Sequence, residues 1–377
     1  NRFAADALSK GAAYAVVDDP AAVIGDRTVL VGDTLEALQE LARKHRRELA
    51  IPILAISGSN GKTTTKELVS RVLAERFEVY ATHGNLNNHI GVPLTLLAMT
   101  RDTEFGVVEM GASACGEIAL LASVAEPNYG ILTNIGRAHL EGFGGPEGIR
   151  RGKGELLDYL AANGGRAFVP REDEVLTNMA AERDGLAAEY YSVALADGIA
   201  HHLEVDYNRF NIAAAMAVGR YFDIDGERIR HAVGSYMPDN NRSQRTETER
   251  NTLIVDCYNA NPSSMRASVL NFLAEPAGGR SRRVLILGDM LELGAWSEQE
   301  HRDIVALAGR NPDTELMLVG GEFARACTGM EPQPANTALF PSREELIAEL
   351  RRRPVENAFV LVKGSRGIGL EKALEEL

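Results

Sequence analysis

A single tryptophan and an aromatic content of 6% leave little material for the stacking platforms that grip single-stranded nucleic acid. Basic residues are also outnumbered. Forty Lys and Arg against 53 Asp and Glu give 377 residues a net charge of −13, which repels a phosphate backbone or an anionic membrane but leaves room for local basic pockets. No apolar run approaches the ~18–20 residues that span a bilayer, and the N-terminus lacks the basic, apolar and small-residue zones of a signal peptide. A cytoplasmic protein without a membrane span or a nucleic-acid partner is expected. Cysteine is scarce: Cys115, Cys257 and Cys327 are odd in number and far apart, with neither CxxC nor Cys/His ligand spacing. They suit packing in a reducing compartment.

What is present is ordinary globular material, 45% apolar and 25% charged, long enough for two or three domains at roughly 100–200 residues each. Short apolar, often β-branched runs alternate with glycine or polar clusters and helix-period stretches, the pattern of βαβ units and parallel sheets. Strands are expected at Ala13–Val17, Ile51–Ile56, Phe105–Glu109, Gly130–Asn134, Leu253–Cys257, Val284–Leu287, Leu316–Val319 and Ala358–Val362. Residues 1–48 form one small unit that opens inside an amphipathic helix, so the start of that domain is expected upstream of Asn1. A strand-like run breaks at Asp197–His202 without a turn motif. The helix Asn208–Tyr221 then leads to a polar, proline-containing junction at Tyr236–Gln244, and the last β/α set is expected to end in a helix over 368–377.

The richest stretch is Ile51-Pro-Ile-Leu-Ala-Ile-Ser-Gly-Ser-Asn-Gly-Lys-Thr-Thr-Thr-Lys, an apolar strand, a glycine loop and a helix running to about Glu75. Backbone N–H groups of Gly58, Ser59, Asn60 and Gly61 are placed to converge on a polyphosphate. Lys62 adds a mobile positive charge, Thr63 a hydroxyl for Mg²⁺, and Thr64 continues the helix start. Strict Walker A spacing would put glycine where Ile56 stands, so this is a shortened form. A plain capped strand-to-helix turn is the bland alternative, and the flanking strand and helix favour phosphate. Two later strands end in polar residues where an open parallel sheet holds ligands: Glu109, a candidate Mg²⁺ ligand, and the run leading to His139.

Gly58-Ser-Asn-Gly-Lys-Thr-Thr-Thr-Lys, Gly84-Asn-Leu-Asn-Asn-His-Ile-Gly-Val-Pro, Glu109-Met-Gly-Ala, Thr133-Asn-Ile-Gly-x-Ala-His-Leu-Glu-Gly-Phe-Gly and Lys153-Gly-Glu occur in this order. They are followed by Asn241-Arg-Ser-Gln, Asp256-x-Tyr-Asn-Ala-Asn-Pro-x-Ser-Met, Leu287-Gly-Asp-Met-x-Glu-Leu-Gly and Val362-Lys-Gly-Ser-Arg. Together, over nearly the whole chain, they closely resemble the Mur ligases. The resemblance implies an α/β protein of three domains: a truncated UDP-sugar-binding domain at 1–48, a central P-loop ATPase domain with a parallel sheet at 49–237, and a C-terminal Rossmann-like domain at 238–377. The C-terminal motifs imply the branch that joins D-alanyl-D-alanine to UDP-N-acetylmuramoyl-tripeptide as a monomer. Two departures, the missing opening and the seam at Asp197–His202, bear on the UDP contacts.

By the same resemblance ATP lies over Gly58–Thr64, with Asn208, Asn211, Asp256 and Asn259 on its nucleoside side and Arg242 reaching its phosphates on closure. Two Mg²⁺ ions are implied, one near Thr63 and Glu109 and one near His139 and Lys153. A free ammonium does not ligate Mg²⁺, so Lys153 is expected to be carbamoylated by CO₂. Asn85, Asn88 and His89 match the loop near the growing peptide, and Asp289, Lys363, Ser365 and Arg366 lie where the dipeptide's charges would be read. Read as residues alone, Lys153 would be a solvated charge, Asn208 a helix cap and Arg242 a surface ion pair. The nearest alternative function is another amide ligase of this kind, adding a diamino acid or, on folate, glutamate. A P-loop regulatory protein and a nucleic-acid motor are weaker, the first because Glu109, His139 and Lys153 occur together, the second because of the charge.

Overall fold

A computed structural model describes residues 1–203, 208–238, 244–328, 330 and 334–377. The central domain is a sheet of six parallel strands in the spatial order Val79–Ala81, Phe105–Glu109, Ile53–Ser57, Tyr129–Leu132, Arg166–Pro170 and Ala187–Tyr191. The run Ile53–Ser57 is buried on both faces, as a strand between two helix layers must be. Its side chains alternate: Leu54 and Ile56 enter a core with the helices Lys62–Ala74 and Asn208–Tyr221. Ile53 and Ala55 enter the opposite one, with Glu117–Ala125 and Pro146–Ala162. After Ile53–Ser57 the chain builds one side of the sheet and then crosses to the other. The crevice beyond that strand's C-terminal end is therefore the switch point at which open α/β sheets bind ligands.

The C-terminal domain repeats the scheme with Thr337–Phe340, Thr314–Val319, Arg282–Gly288, Ala358–Lys363, Thr252–Asp256 and Gln244–Glu247 in spatial order. Only the edge strand Gln244–Glu247 is antiparallel to its neighbour, so this sheet is mixed. All eight expected strands are present, Phe105–Glu109 with both ends as expected and the others with ends shifted by at most two residues. Six more escape a sequence reading: Thr28–Leu30, Val79–Ala81, Arg166–Pro170, Ala187–Tyr191, Gln244–Glu247 and Thr337–Phe340. They are short and mostly at sheet margins, where half-exposed residues replace the apolar run.

The expected helix over 368–377 is instead a 3₁₀ run, Leu370–Glu376, entered through Gly369 at φ 71°. Leu370 and Ala373, three residues apart, are its buried pair, a spacing the three-residue turn satisfies. At the break before residue 203 a 3₁₀ turn, Val193–Ala196, is capped by Ser192 and followed by irregular chain with Gly198 at φ 71°. Tyr236, at the start of the interdomain junction, is buried in the central core, whereas Asp239, Asn240 and Arg242 lie outside the described residues.

Residues before the central sheet form a two-stranded parallel pair, Ala15–Val17 with Thr28–Leu30, and the helix Thr34–Leu49, capped by Asp33. That helix is fastened to the central domain: Ala42 joins its core, and the Arg46 guanidinium donates to Ala125 O and to Asn128 Oδ1, both at 3.0 Å. The central and C-terminal domains share a core in which Leu140, Phe143 and Ile149 pack with Met290 and Leu293. Among the described residues no helix is long and apolar enough to cross a membrane.

Candidate functional site

The glycine loop after Ile53–Ser57 is shaped by two glycines at positive φ, Gly58 at 132° and Gly61 at 81°. A Cβ on Gly58 would collide with the Thr133 hydroxyl and stand 2.9 Å from the Thr133 nitrogen, and one on Gly61 would stand 2.7 Å from Asn211 Oδ1. The loop is pinned to the neighbouring strand end. Ser59 N–H donates to Asn134 O (3.0 Å), Asn60 N–H to Asn134 Oδ1 (3.1 Å), and the Thr133 hydroxyl to Asn60 O (2.6 Å). Lys62 Nζ folds over the loop and donates to Gly58 O (2.8 Å) and Ser59 O (3.1 Å). The outcome is a rigid turn at a helix N-terminus with a lysine across its mouth, the elements of an anion cradle.

This turn opens into a cavity of about 680 Å³ walled by both domains. Glu109 lines it from the end of its strand, buried, with Oε1 accepting from Asn87 Nδ2 (2.7 Å) and Oε2 buried without a hydrogen-bond partner. An orphaned buried carboxylate oxygen is the donor a hard cation needs, and Thr63 and His139 line the same cavity. Among the described residues no cluster of three His, Cys, Asp or Glu forms a closed cage. A cation held by Glu109 would take its remaining ligands from outside such a cluster, a bound phosphate among them.

His139 has φ 54° and its Nδ1 contacts the Glu292 carboxylate; burial lowers its imidazole pKa, opposed by that carboxylate. Lys153, on the helix Pro146–Ala162, is 1% exposed, donates to Ala112 O at 2.9 Å and sits 5.0 Å from the centre of the Phe143 ring. Burial first, and the charge of Lys62 second, bring its amine down to about 7. Lys153 does not itself line the cavity, but Ala112, which it touches, does.

From the other domain come Asp256, Asn259 and Lys363. Lys363 and Asp256 form a buried ion pair, Lys363 Nζ also donating to Asn259 O (3.3 Å) and the Ser268 hydroxyl to Asp256 Oδ2 (3.2 Å). Asn208 and Asn211 are buried behind the glycine loop: Thr65 Oγ1 donates to Asn211 Oδ1 (3.0 Å) and Asn211 Nδ2 to Asn208 Oδ1 (2.8 Å). Asn211 also lines a second cavity of about 280 Å³ with Asn60 and Ser263. Asn88 and His89 line the main cavity, Asn88 Oδ1 accepting from Gly91 N–H (2.8 Å), while Asn85 is not in its wall.

Asp289 is set apart from the cavity: its two oxygens accept from Phe323 and Glu322 N–H, both at 2.9 Å, capping the helix Gly321–Cys327. Ser365 Oγ is occupied in both directions, accepting from Leu291 N–H (3.0 Å) and donating to Ala260 O (3.2 Å). With Arg366 it lines a small cleft of about 100 Å³ that also reaches His139 and Glu292. Arg366 lies 5.6 Å from the centre of the Tyr258 ring and makes no ion pair among the described residues.

Among the cavity residues not singled out from the sequence are Asn87, Asn261 and Glu292. Each lies inside a motif already noted, Asn-Leu-Asn-Asn, Asn-Ala-Asn-Pro and Gly-Asp-Met-x-Glu, so spacing pointed to the segment but not to the side chain.

The glycine loop at a switch point, the orphaned carboxylate and the buried lysine lie within the region that matches the family described as "Mur ligase middle domain", residues 56–227. Residues 241–366 match "Mur ligase, glutamate ligase domain". The chain is similar to a Bacillus subtilis (strain 168) protein named "UDP-N-acetylmuramoyl-tripeptide--D-alanyl-D-alanine ligase", 32% identical over 95% of this chain and 84% of that one. The Escherichia coli (strain K12) protein of the same name is 31% identical over 100% and 87%. The fold of this chain is similar to that of MurF from Acinetobacter baumannii, with TM-score 0.86, 27% identity and coverage of 100% of this chain and 87% of that one. The MurF ligase of Thermotoga maritima in complex with ADP has the same fold, TM-score 0.85 at 24% identity, covering 100% and 90%. With sequence likeness over full length, both halves matched and the cavity built where they join, the chain belongs to the Mur ligase family.

Proposed function

We propose that this chain joins D-alanyl-D-alanine to UDP-N-acetylmuramoyl-tripeptide, converting ATP to ADP and phosphate through an acyl phosphate and yielding the pentapeptide precursor of peptidoglycan. The supporting observation is the single cavity in which the Gly58–Lys62 turn and the orphaned Glu109 oxygen from one domain face Asp256, Asn259 and Lys363 of the other.

A carboxylate does not acylate an amine at neutral pH because its oxygen is a poor leaving group, so its oxygen must first take the terminal phosphoryl group of ATP. Both partners are anions. The backbone N–H groups at the helix start and the Lys62 ammonium neutralise the phosphates and hold them in line, the main catalytic contribution open to a protein in phosphoryl transfer. Thr63, Glu109 and His139 would hold Mg²⁺, which when bound offsets charge building on the transferred group. Lys153 at a pKa of about 7 is substantially a neutral amine, the form whose nitrogen attacks CO₂, forming an N–C bond and releasing a proton to leave a carbamate anion. The dipeptide's uncharged amine then attacks the acyl carbon, the bond to the phosphoryl oxygen breaks, and phosphate leaves with the second amine proton.

Within this reading residues 1–48 hold the UDP-sugar, Asn88 and His89 border the tripeptide, and Arg366, over the Tyr258 ring, receives the dipeptide carboxylate. Asn85, Asp289 and Ser365 serve the loops around them. ADP release measured with ATP, UDP-muramoyl-tripeptide and D-alanyl-D-alanine, each omitted in turn, tests it: release must need all three. Release supported by a diamino acid or by glutamate in place of the dipeptide would overturn the assignment. In the carbamate test, ¹³CO₂ should give a carbamate ¹³C resonance that is absent in Lys153→Met; equal spectra exclude the modification.

A further inference from the structure

We infer that Glu292, supplied by the C-terminal domain, is a positioning residue for His139: its carboxylate takes the Nδ1 proton as a hydrogen bond and leaves Nε2 as the ring's acceptor on the phosphate cavity.

The contact joins residues 153 positions apart across the domain boundary, and both line the main cavity and the small cleft beside it. An ionised carboxylate only accepts hydrogen bonds, so the nitrogen it meets carries the proton, and in the neutral ring the other nitrogen has the lone pair. Among the described residues no other side chain or backbone group hydrogen-bonds the His139 ring. A histidine fixed in this way by a carboxylate is suited to present its far nitrogen to a cation or to a phosphate-bound ligand.

Backbone geometry supports a built contact over a chance surface pair. His139 (φ 54°) and Glu292 (φ 62°) are both non-glycine residues in the left-handed region, which is maintained against steric cost where surrounding structure over-determines it. Glu292 O accepts from Glu141 N–H at 3.3 Å, and a Cβ on Gly294 would stand 3.1 Å from Glu141 Cβ, so the two loops are pressed together. From behind, the Glu292 loop is fastened to its own domain. Met290 N–H donates to His301 Nε2 (3.0 Å), Leu291 N–H to Ser365 Oγ (3.0 Å), and Asp289 caps the helix Gly321–Cys327. The carboxylate therefore arrives at His139 as part of a rigid C-terminal unit, and docking of that unit sets the ring.

The inference rests on the proposed phosphate and metal reading of the cavity for its functional meaning, but its structural core is tested without either. Nitrogen-15 NMR of the His139 ring in the nucleotide-free protein, assigned by its loss in His139→Gln, should show Nδ1–H in the wild type. Glu292→Gln, whose carbonyl oxygen still accepts, should retain it; Glu292→Ala and Glu292→Gly should not. Mn²⁺ affinity, read by electron paramagnetic resonance with a non-hydrolysable ATP analogue, should fall about 10–100-fold in the Ala and Gly variants and recover most of the way in Gln. Glycine tolerates the left-handed backbone, so Glu292→Gly keeps the test free of a folding defect. A wild-type tautomer and Mn²⁺ affinity in both Ala and Gly variants overturn the inference. A wild type that binds no Mn²⁺ with nucleotide overturns the metal reading instead, while the tautomer result still decides the Glu292–His139 relation.

Discussion

Asn60 in the glycine loop and Asn261 at the start of the helix Pro262–Ala274 exchange hydrogen bonds across the domain boundary, Asn261 Nδ2 to Asn60 Oδ1 at 2.7 Å and Asn60 Nδ2 to Asn261 Oδ1 at 3.4 Å. Asn261 also caps that helix through Ser264 N–H (2.9 Å), so the glycine loop of one domain and a helix start of the other share one amide pair. At about 0.5–1.5 kcal/mol for a net hydrogen bond, Asn60→Ala and Asn261→Ala should couple by roughly 1 kcal/mol in a double-mutant cycle on ATP KM. Additive effects would mean that the pair does not act as a unit.

Gly58→Ala should abolish nucleotide binding, because the backbone sits at φ 132° and the added methyl overlaps the Thr133 hydroxyl. Thr133→Ala in the same chain removes the hydroxyl overlap but neither the backbone strain nor the 2.9 Å approach to the Thr133 nitrogen. Equilibrium binding of a fluorescent ATP analogue should therefore recover partially in the double variant, and full binding by Gly58→Ala alone would contradict the geometry.

Stability should depend on pH through Lys153. Its amine has an ordinary value of 10.5 when the chain is unfolded and about 7 when folded, so between those values the unfolded chain binds more protons. The stabilising effect of raising pH is complete above 10.5 and is lost as pH falls to about 7, below which the buried charge carries its full cost. In urea titrations the wild type should gain stability relative to Lys153→Met at up to ~1.4 kcal/mol per pH unit inside that window. Parallel pH profiles for the two proteins would show that Lys153 does not titrate as its burial requires.

Lys363→Met leaves the Asp256 carboxylate buried without its cation, which should cost about 3–5 kcal/mol in chemical denaturation. Asp256→Asn added to Lys363→Met removes the stranded charge and should restore a large part of that loss while leaving ligation impaired. No recovery would place the cost in packing rather than in the unpaired charge.

The central machinery was legible because its residues are neighbours in sequence. Strand, glycine turn, lysine and helix at 51–75 are one contiguous run, and Glu109 ends, and His139 follows, a strand whose apolar run is easy to read. Marginal strands such as Gln244–Glu247 were not, since a half-exposed strand has no strong period to detect. Asp289 and Ser365 were expected to read substrate charge because they end strands of the last sheet, yet their polar atoms are occupied by backbone groups from segments distant in sequence.

From the sequence alone came the α/β class, the glycine turn between strand and helix and the order of the motifs, all properties of short range along the chain. Tertiary structure decided which charges meet: Lys363 with Asp256, Glu292 with His139, and Lys153, among the described residues, with a carbonyl and a ring. Burial and partnership depend on what packs against a residue from distant parts of the chain, within one domain for Lys363 and Lys153 and across the domain boundary for His139.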